Sequence, residues 1–112
     1  MNAYAPPPNR SLPFRILRWW PTRRSSRSST LRGHADIQMP SGLVLRDISI
    51  CTHATGTVQV FIPSRLDVGL DNRPLEPHRW RKVVDFATPE IKRRFDGRVV
   101  EALLDAHPDA LG

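Results

Sequence analysis

Acidic side chains are missing from the first 35 residues, a segment that holds seven arginines. Cysteine occurs once in 112 residues, as Cys51, which excludes an internal disulfide and suits a reducing compartment. No apolar run approaches the roughly 20 residues that a bilayer-spanning helix needs. A membrane anchor of that kind is excluded, and the expected location is cytoplasmic. Also missing are a glycine-rich phosphate loop, a defensible pair of catalytic carboxylates and a Cys/His pattern of zinc-like spacing. Cys51 and His53 form a Cys-x-His, but His34, His78 and His107 do not complete a ligand set with them. Nothing marks a third group that would orient the histidine beside a nucleophile. The residues therefore predict no catalytic site, no metal, no cofactor and no small-molecule substrate.

What the chain does have is charge, unevenly placed. Of its seventeen basic residues, seven lie before position 36, which leaves ten against eleven acids in the remainder. The net charge of +6 thus belongs to the N-terminal third. Such a block attracts polyanions over about a Debye length, roughly 8 Å in physiological salt. Its densest part is "RILRWWPTRRSSRSST" (15–30), with five arginines, four serines and adjacent tryptophans. Being rich in arginine and serine, it has the composition of an organelle-targeting leader, but Pro13 and Pro21 break the amphipathic helix a leader requires.

The length fits one domain. Residues 1–12, with Pro6, Pro7 and Pro8, read as an extended tail, and 13–112 as the folded unit. "PFRILRWW" (13–20) alternates Phe14, Ile16, Arg18 and Trp20 against Arg15, Leu17 and Trp19, which predicts a first strand. Residues 21–29 then read as an exposed basic loop. Strict alternation in "LRGHADIQM" (31–39) sets Leu31, Gly33, Ala35, Ile37 and Met39 on one face and Arg32, His34, Asp36 and Gln38 on the other. "PSG" (40–42) is a turn in which Gly42 can take positive φ. "LVLRDISIC" (43–51) and "TVQVFI" (57–62) continue as strands, joined by "THATG" (52–56). A loop with three prolines (63–78) leads to a further strand, "RWRKVVDF" (79–86).

Thr88 as N-cap, Pro89 at the first helical position and Glu90 in the first turn start a helix over 88–106. Ile91, Phe95, Val99, Ala102, Leu103 and Ala106 form its apolar stripe, and Pro108 stops it. The expected fold is α+β: a four- or five-stranded antiparallel meander with one C-terminal helix packed on it.

The words "GLVLRDISI", "VFIPSR", "RWRKVVDF" and "IKRRFDGRVVEALL", in this order, resemble the stage V sporulation protein G (SpoVG) family. The likeness covers about Leu31 to His107 and extends weakly to "FRILRWW". The chain is also similar to uncharacterised alphaproteobacterial proteins with "TLRG", "GLVLRD" and "PSR"-type words. The resemblance implies a small, dimeric, nucleic-acid-binding regulator of the septation-regulator kind, with a curved antiparallel sheet. It also implies phosphate contacts near the start of the helix, at positions matching Lys92, Arg93 and Arg94, with Arg98 one turn on.

The candidate nucleic-acid-binding residues are therefore Arg23, Arg24, Arg27, Lys92 and Arg93, with the DNA or RNA phosphate backbone as partner and little sequence specificity. A solvated helix face is the plainer reading of Lys92 and Arg93. Val100 and Leu104, one turn apart and away from the main stripe, are candidates for a homodimer interface or for a strip covered by sheet or loop. The alternative function is a non-catalytic protein-interaction module of phage or plasmid type with an acidic protein partner.

Overall fold

A computed structural model describes residues 12–66 and 68–112. Six strands precede one helix: β1 (Arg15–Ser25), β2 (Ser29–Gln38), β3 (Val44–His53), β4 (Val58–Phe61), β5 (Ser64–Leu66), β6 (Trp80–Lys82) and α1 (Pro89–Ala106). The first four form an antiparallel meander in chain order, and β5 pairs with β6 in a separate two-stranded ribbon. The fold is α+β, a four-stranded meander with its C-terminal helix packed on one face.

The inner face is built by alternation. Ala35 and Ile37 of β2, Ile48 and Ile50 of β3, and Val60 of β4 are fully buried, and Phe95, Val99 and Leu103 of α1 close over them. The helix backbone approaches the two edge strands, β1 and β4. The sheet therefore curls round the helix, with the β-branched side chains of the central strands filling the gap between. Phe95 sits between Phe86, at 4.9 Å between ring centroids, and Phe14, edge-on at 6.3 Å. Burying such a ring contributes roughly 1.5–3 kcal/mol by area alone.

The helix begins as its sequence demands. Thr88 Oγ1 accepts the Ile91 N–H at 3.1 Å, and Pro89 takes the first position, where a missing N–H costs nothing. The His107 N–H donates to the Leu103 carbonyl at 2.7 Å before Pro108 ends the run. Ile91 departs from the expected stripe: in the first turn of the helix, it is 43% exposed. Ala106 at the last turn is exposed as well. No helix among the described residues is long and apolar enough to cross a membrane.

Three further expectations are corrected. The basic segment 21–29 is not a loop: β1 runs on to Ser25 and pairs with β2 through Arg24↔Leu31 and Ser25↔Thr30, leaving only 26–28 as the turn. Residues 21–28 are exposed, as expected, and Ser29 is half-buried. The 79–86 strand shrinks to three residues. It pairs with 64–66 rather than joining the meander, so that much of the 63–78 loop is a hairpin. The turn after β3 falls later than "THATG", since Thr52 and His53 stay in the strand. Gly42 (φ 90°) and Gly56 (φ 91°) turn the chain at the two hairpins that follow β2 and β3. Of the expected tail, residues 1–11 lie outside the described residues, while the Leu12 N–H donates to Pro40 O at 2.9 Å.

Irregular register explains how β1 serves two faces. Ile16 pairs with Ile37 and Trp19 with Ala35, so one extra residue, Leu17, bulges out between them. The bulge turns Trp19 inward, where its indole lies over Gly33. A Cβ there would meet Trp19 carbons at 2.6 and 2.8 Å and the Trp20 carbonyl at 2.4 Å. Glycine at 33 is thus a space requirement for the indole.

Candidate functional site

Beyond the Leu17 bulge, side chains of β1 that do not pack inward stand on the sheet face away from the helix. The register aligns them in rows across the sheet. Arg15, Gln38 and Val44 form one row, and Arg18 faces Asp36 in the next. Trp20, His34, Ser49 and Phe61 cross all four strands in a third row, followed by Arg24, Leu31, Cys51 and Gln59. The Arg18 guanidinium sits 4.4 Å from the Trp20 ring centroid, a cation–π contact that stiffens both groups. Phe61 is 49% exposed, a large ring left in solvent.

Strand β1 is an edge of the sheet and carries Arg15, Arg18, Arg23 and Arg24, with Arg27 in the adjoining turn. All five are exposed, and none has a carboxylate partner among the described residues. Arg15 and Arg24 stand opposite Gln38 and Leu31, seven residues apart on β2, so the strand spans about 23 Å between them at 3.3 Å per residue. A run of unneutralised guanidinium groups at that length offers separated phosphate contacts in a fixed line. Three of the expected contact residues, Arg23, Arg24 and Arg27, belong to this ribbon.

The other two are treated differently by the fold. Lys92 donates to the Val60 carbonyl at 2.8 Å and is ion-paired with Asp96, one turn on, so its ammonium is anchored to the edge of β4. Its charge is already matched by Asp96 at the i+4 position, so a phosphate there would compete with that carboxylate. Arg93 stays exposed on the rim of a groove of about 450 Å³ between α1, β4 and residues 82–86. Arg94 pairs with Glu90 at 3.0 Å on the helix surface. Lys92 and Arg93 thus stand well away from β1 and do not extend its arginine line.

Of the proposed association strip, Val100 is half-buried and Leu104 is 37% exposed.

Asp36 is the one buried charged or polar residue among those described, at 4% exposure. Its Oδ1 accepts the backbone N–H of Asp47 at 2.9 Å and its Oδ2 accepts Arg46 Nη1 at 3.0 Å. Ala35 pairs with Ile48 but Ile37 with Leu45, so β3 bulges at Arg46–Asp47, and Asp47 takes a left-handed φ of 57°. The carboxylate therefore holds a bulge in place.

Nearby, Ser49, His34 and Asp47 form a Ser–His–Asp group in name only. Ser49 Oγ lies 3.2 Å and Asp47 Oδ1 3.6 Å from the same nitrogen, His34 Nδ1. A proton relay needs its serine and carboxylate on opposite ring nitrogens. Cys51 is partly buried, and desolvation pushes its thiol up from the ordinary value, away from nucleophilic thiolate. His53 Nε2 is engaged with Gln59 Oε1 at 2.7 Å. Among the described residues no three His, Cys, Asp or Glu side chains come together as a metal cluster.

The row of Trp20, His34 and Phe61 is not apparent in the sequence. The signal for Phe61 lies in the alternation of "TVQVFI", which places it opposite Val58, Val60 and Ile62. Plain alternation sets Trp20 on the face of Ile16, and only the bulge separates them. No protein-family model matches the chain, and no curated protein or solved structure matches it either.

Proposed function

We propose that this protein binds nucleic acid through its phosphate backbone, with low sequence specificity and in a regulatory role. The observation that carries the reading is the edge strand β1, a line of exposed arginines free of carboxylate partners among the described residues. Phosphate contacts supply affinity and register but carry no base information directly, which is why specificity is low. The resemblance to the SpoVG family supports the same reading and adds a homodimer, for which Leu104 and Val100 are the proposed contact, and a cytoplasmic setting. Arg93 adds a peripheral contact.

The test is the triple variant Arg23→Ser, Arg24→Ser, Arg27→Ser, measured by filter binding to DNA at several salt concentrations. Each lost phosphate contact on duplex DNA flattens the slope of log affinity against log salt by about 0.9, so three flatten it by roughly 2.7. Unrelated sequences are weakened alike. Retention of both affinity and slope, by this variant and by Arg93→Ser, moves the phosphate contacts away from these arginines, whereas no DNA binding by the natural protein rejects nucleic acid and leaves an acidic protein surface as the partner.

A further inference from the structure

We infer that the open face of the meander binds single-stranded nucleic acid, with bases stacked on Trp20 and Phe61 and phosphates held by the arginine rows on either side. The inference rests on the nucleic-acid reading above and names the form of the ligand. The two rings stand at opposite edges of one row, Trp20–His34–Ser49–Phe61, three strand spacings apart. At about 4.8 Å per spacing they are roughly 14 Å from each other. Bases in a duplex strand are stacked about 3.4 Å apart and have no free ring faces. Two rings so far apart can be used only by bases that have left the stack, as in single strands.

Charge complementarity selects this occupant over an apolar partner. Arg18 lies in the row on one side of the aromatic row and Arg24 in the row on the other, with Arg15 beyond. Arg46 is largely exposed on the same face. The acids present are Asp36, buried and bonded to Arg46, and Asp47. The surface thus offers rings in the middle and guanidinium groups on both flanks, the two elements that single-strand sites combine. His34, beside Trp20 in the row, adds a third flat group.

The experiment measures binding of oligothymidine of about 16 nucleotides, within the usual single-domain site size, and of a duplex of equal length, by fluorescence anisotropy at fixed salt. Phe61→Leu keeps an apolar side chain but removes the ring, and Phe61→Trp restores one. Phe61→Leu is expected to weaken oligothymidine about 5- to 160-fold, the range for loss of one stacked base, and to change duplex binding by less than twofold. Phe61→Trp is expected to match the natural protein. Trp20→Leu is the second site and is expected to behave as Phe61→Leu does, with circular dichroism confirming that both variants fold. Equal losses on both ligands, or none on oligothymidine, overturn the inference while leaving phosphate binding intact. A protein that binds duplex but not oligothymidine does the same. If Phe61→Leu instead converts a dimer to a monomer in light scattering, the face is a contact between copies and the inference falls. Binding of neither ligand by the natural protein removes the nucleic-acid reading itself.

Discussion

Replacing Asp36 by alanine removes a carboxylate that serves the backbone more than it serves a partner side chain. Its bond to the Asp47 N–H is short, at 2.9 Å, lies in a nearly water-free position and fixes a residue at φ 57°. Hydrogen bonds to charged groups contribute about 1.5–3 kcal/mol, and leaving the donor without an acceptor costs in the same range. The pairing with Arg46 adds little, because that guanidinium side chain is 73% exposed. Exposed pairs are worth about 0–1 kcal/mol. The sum for Asp36→Ala is a loss of about 1.5–4 kcal/mol. At 4–8 °C per kcal/mol for a domain of this size, the melting temperature falls by roughly 6–30 °C. Asp36→Asn keeps an acceptor for the N–H and is expected to lose about half as much, and Arg46→Ala at most about 1 kcal/mol. Thermal and urea unfolding followed by circular dichroism give the order directly. Should Arg46→Ala cost as much as Asp36→Ala, the ion pair and not the backbone bond holds the bulge. An unchanged midpoint for Asp36→Ala refutes the argument altogether.

Phe95→Ala empties a site walled by Phe14 and Phe86 and is expected to cost ~3–5 kcal/mol in the same unfolding assay; an unchanged midpoint would show that the helix does not depend on this contact. Leu104→Glu is expected to give a folded monomer if Leu104 lies in the homodimer contact, and light scattering after size exclusion that still reports a dimer moves the interface elsewhere. Because burial raises the Cys51 thiol above its unfolded value, the native chain binds that proton more tightly than the unfolded one. Stability linked to it is fully present below the unfolded value and declines as pH rises through the folded one. At pH 8, iodoacetamide should therefore alkylate Cys51 more slowly in the native protein than in urea; equal rates would contradict the desolvation.

Regular alternation made most of the fold legible. Gly33, Ala35 and Ile37 face the core as their spacing requires, and Val58, Val60 and Ile62 do the same in and beside β4. The capping residues Thr88 and Pro89 fixed the start of α1. What escaped was every departure from period two. The extra Leu17 in β1 broke the pattern that had placed Arg18 and Trp20 with Ile16, and the bulge next to Leu31 took that residue out of the core face. No residue type marks such bulges, since their cause is curvature of the whole sheet. The basic residues 21–25 look like a loop because arginine, serine and proline have poor strand credentials; pairing with β2 overrides that preference. For the site, the arginines were visible as composition, but the row joining Trp20 to Phe61 exists only once four strands are in register.

The Leu17 bulge also sets which changes this chain can absorb. Along β1 the exposed arginines bear on no neighbour in the core, so their number can drift from one sequence to another at little cost to folding. Length is another matter. A residue can be lost without cost to register only where the strand already holds a spare one: without Leu17, Arg18, Trp19 and Trp20 still stand opposite Asp36, Ala35 and His34. Inserting a residue between Trp19 and Trp20, where the pairing is regular, would instead turn Trp20 toward the helix and take it out of the row with His34. Point substitution can therefore tune the charge of this surface freely, and a change of length is absorbed at the bulge but not in the regular stretch beside it.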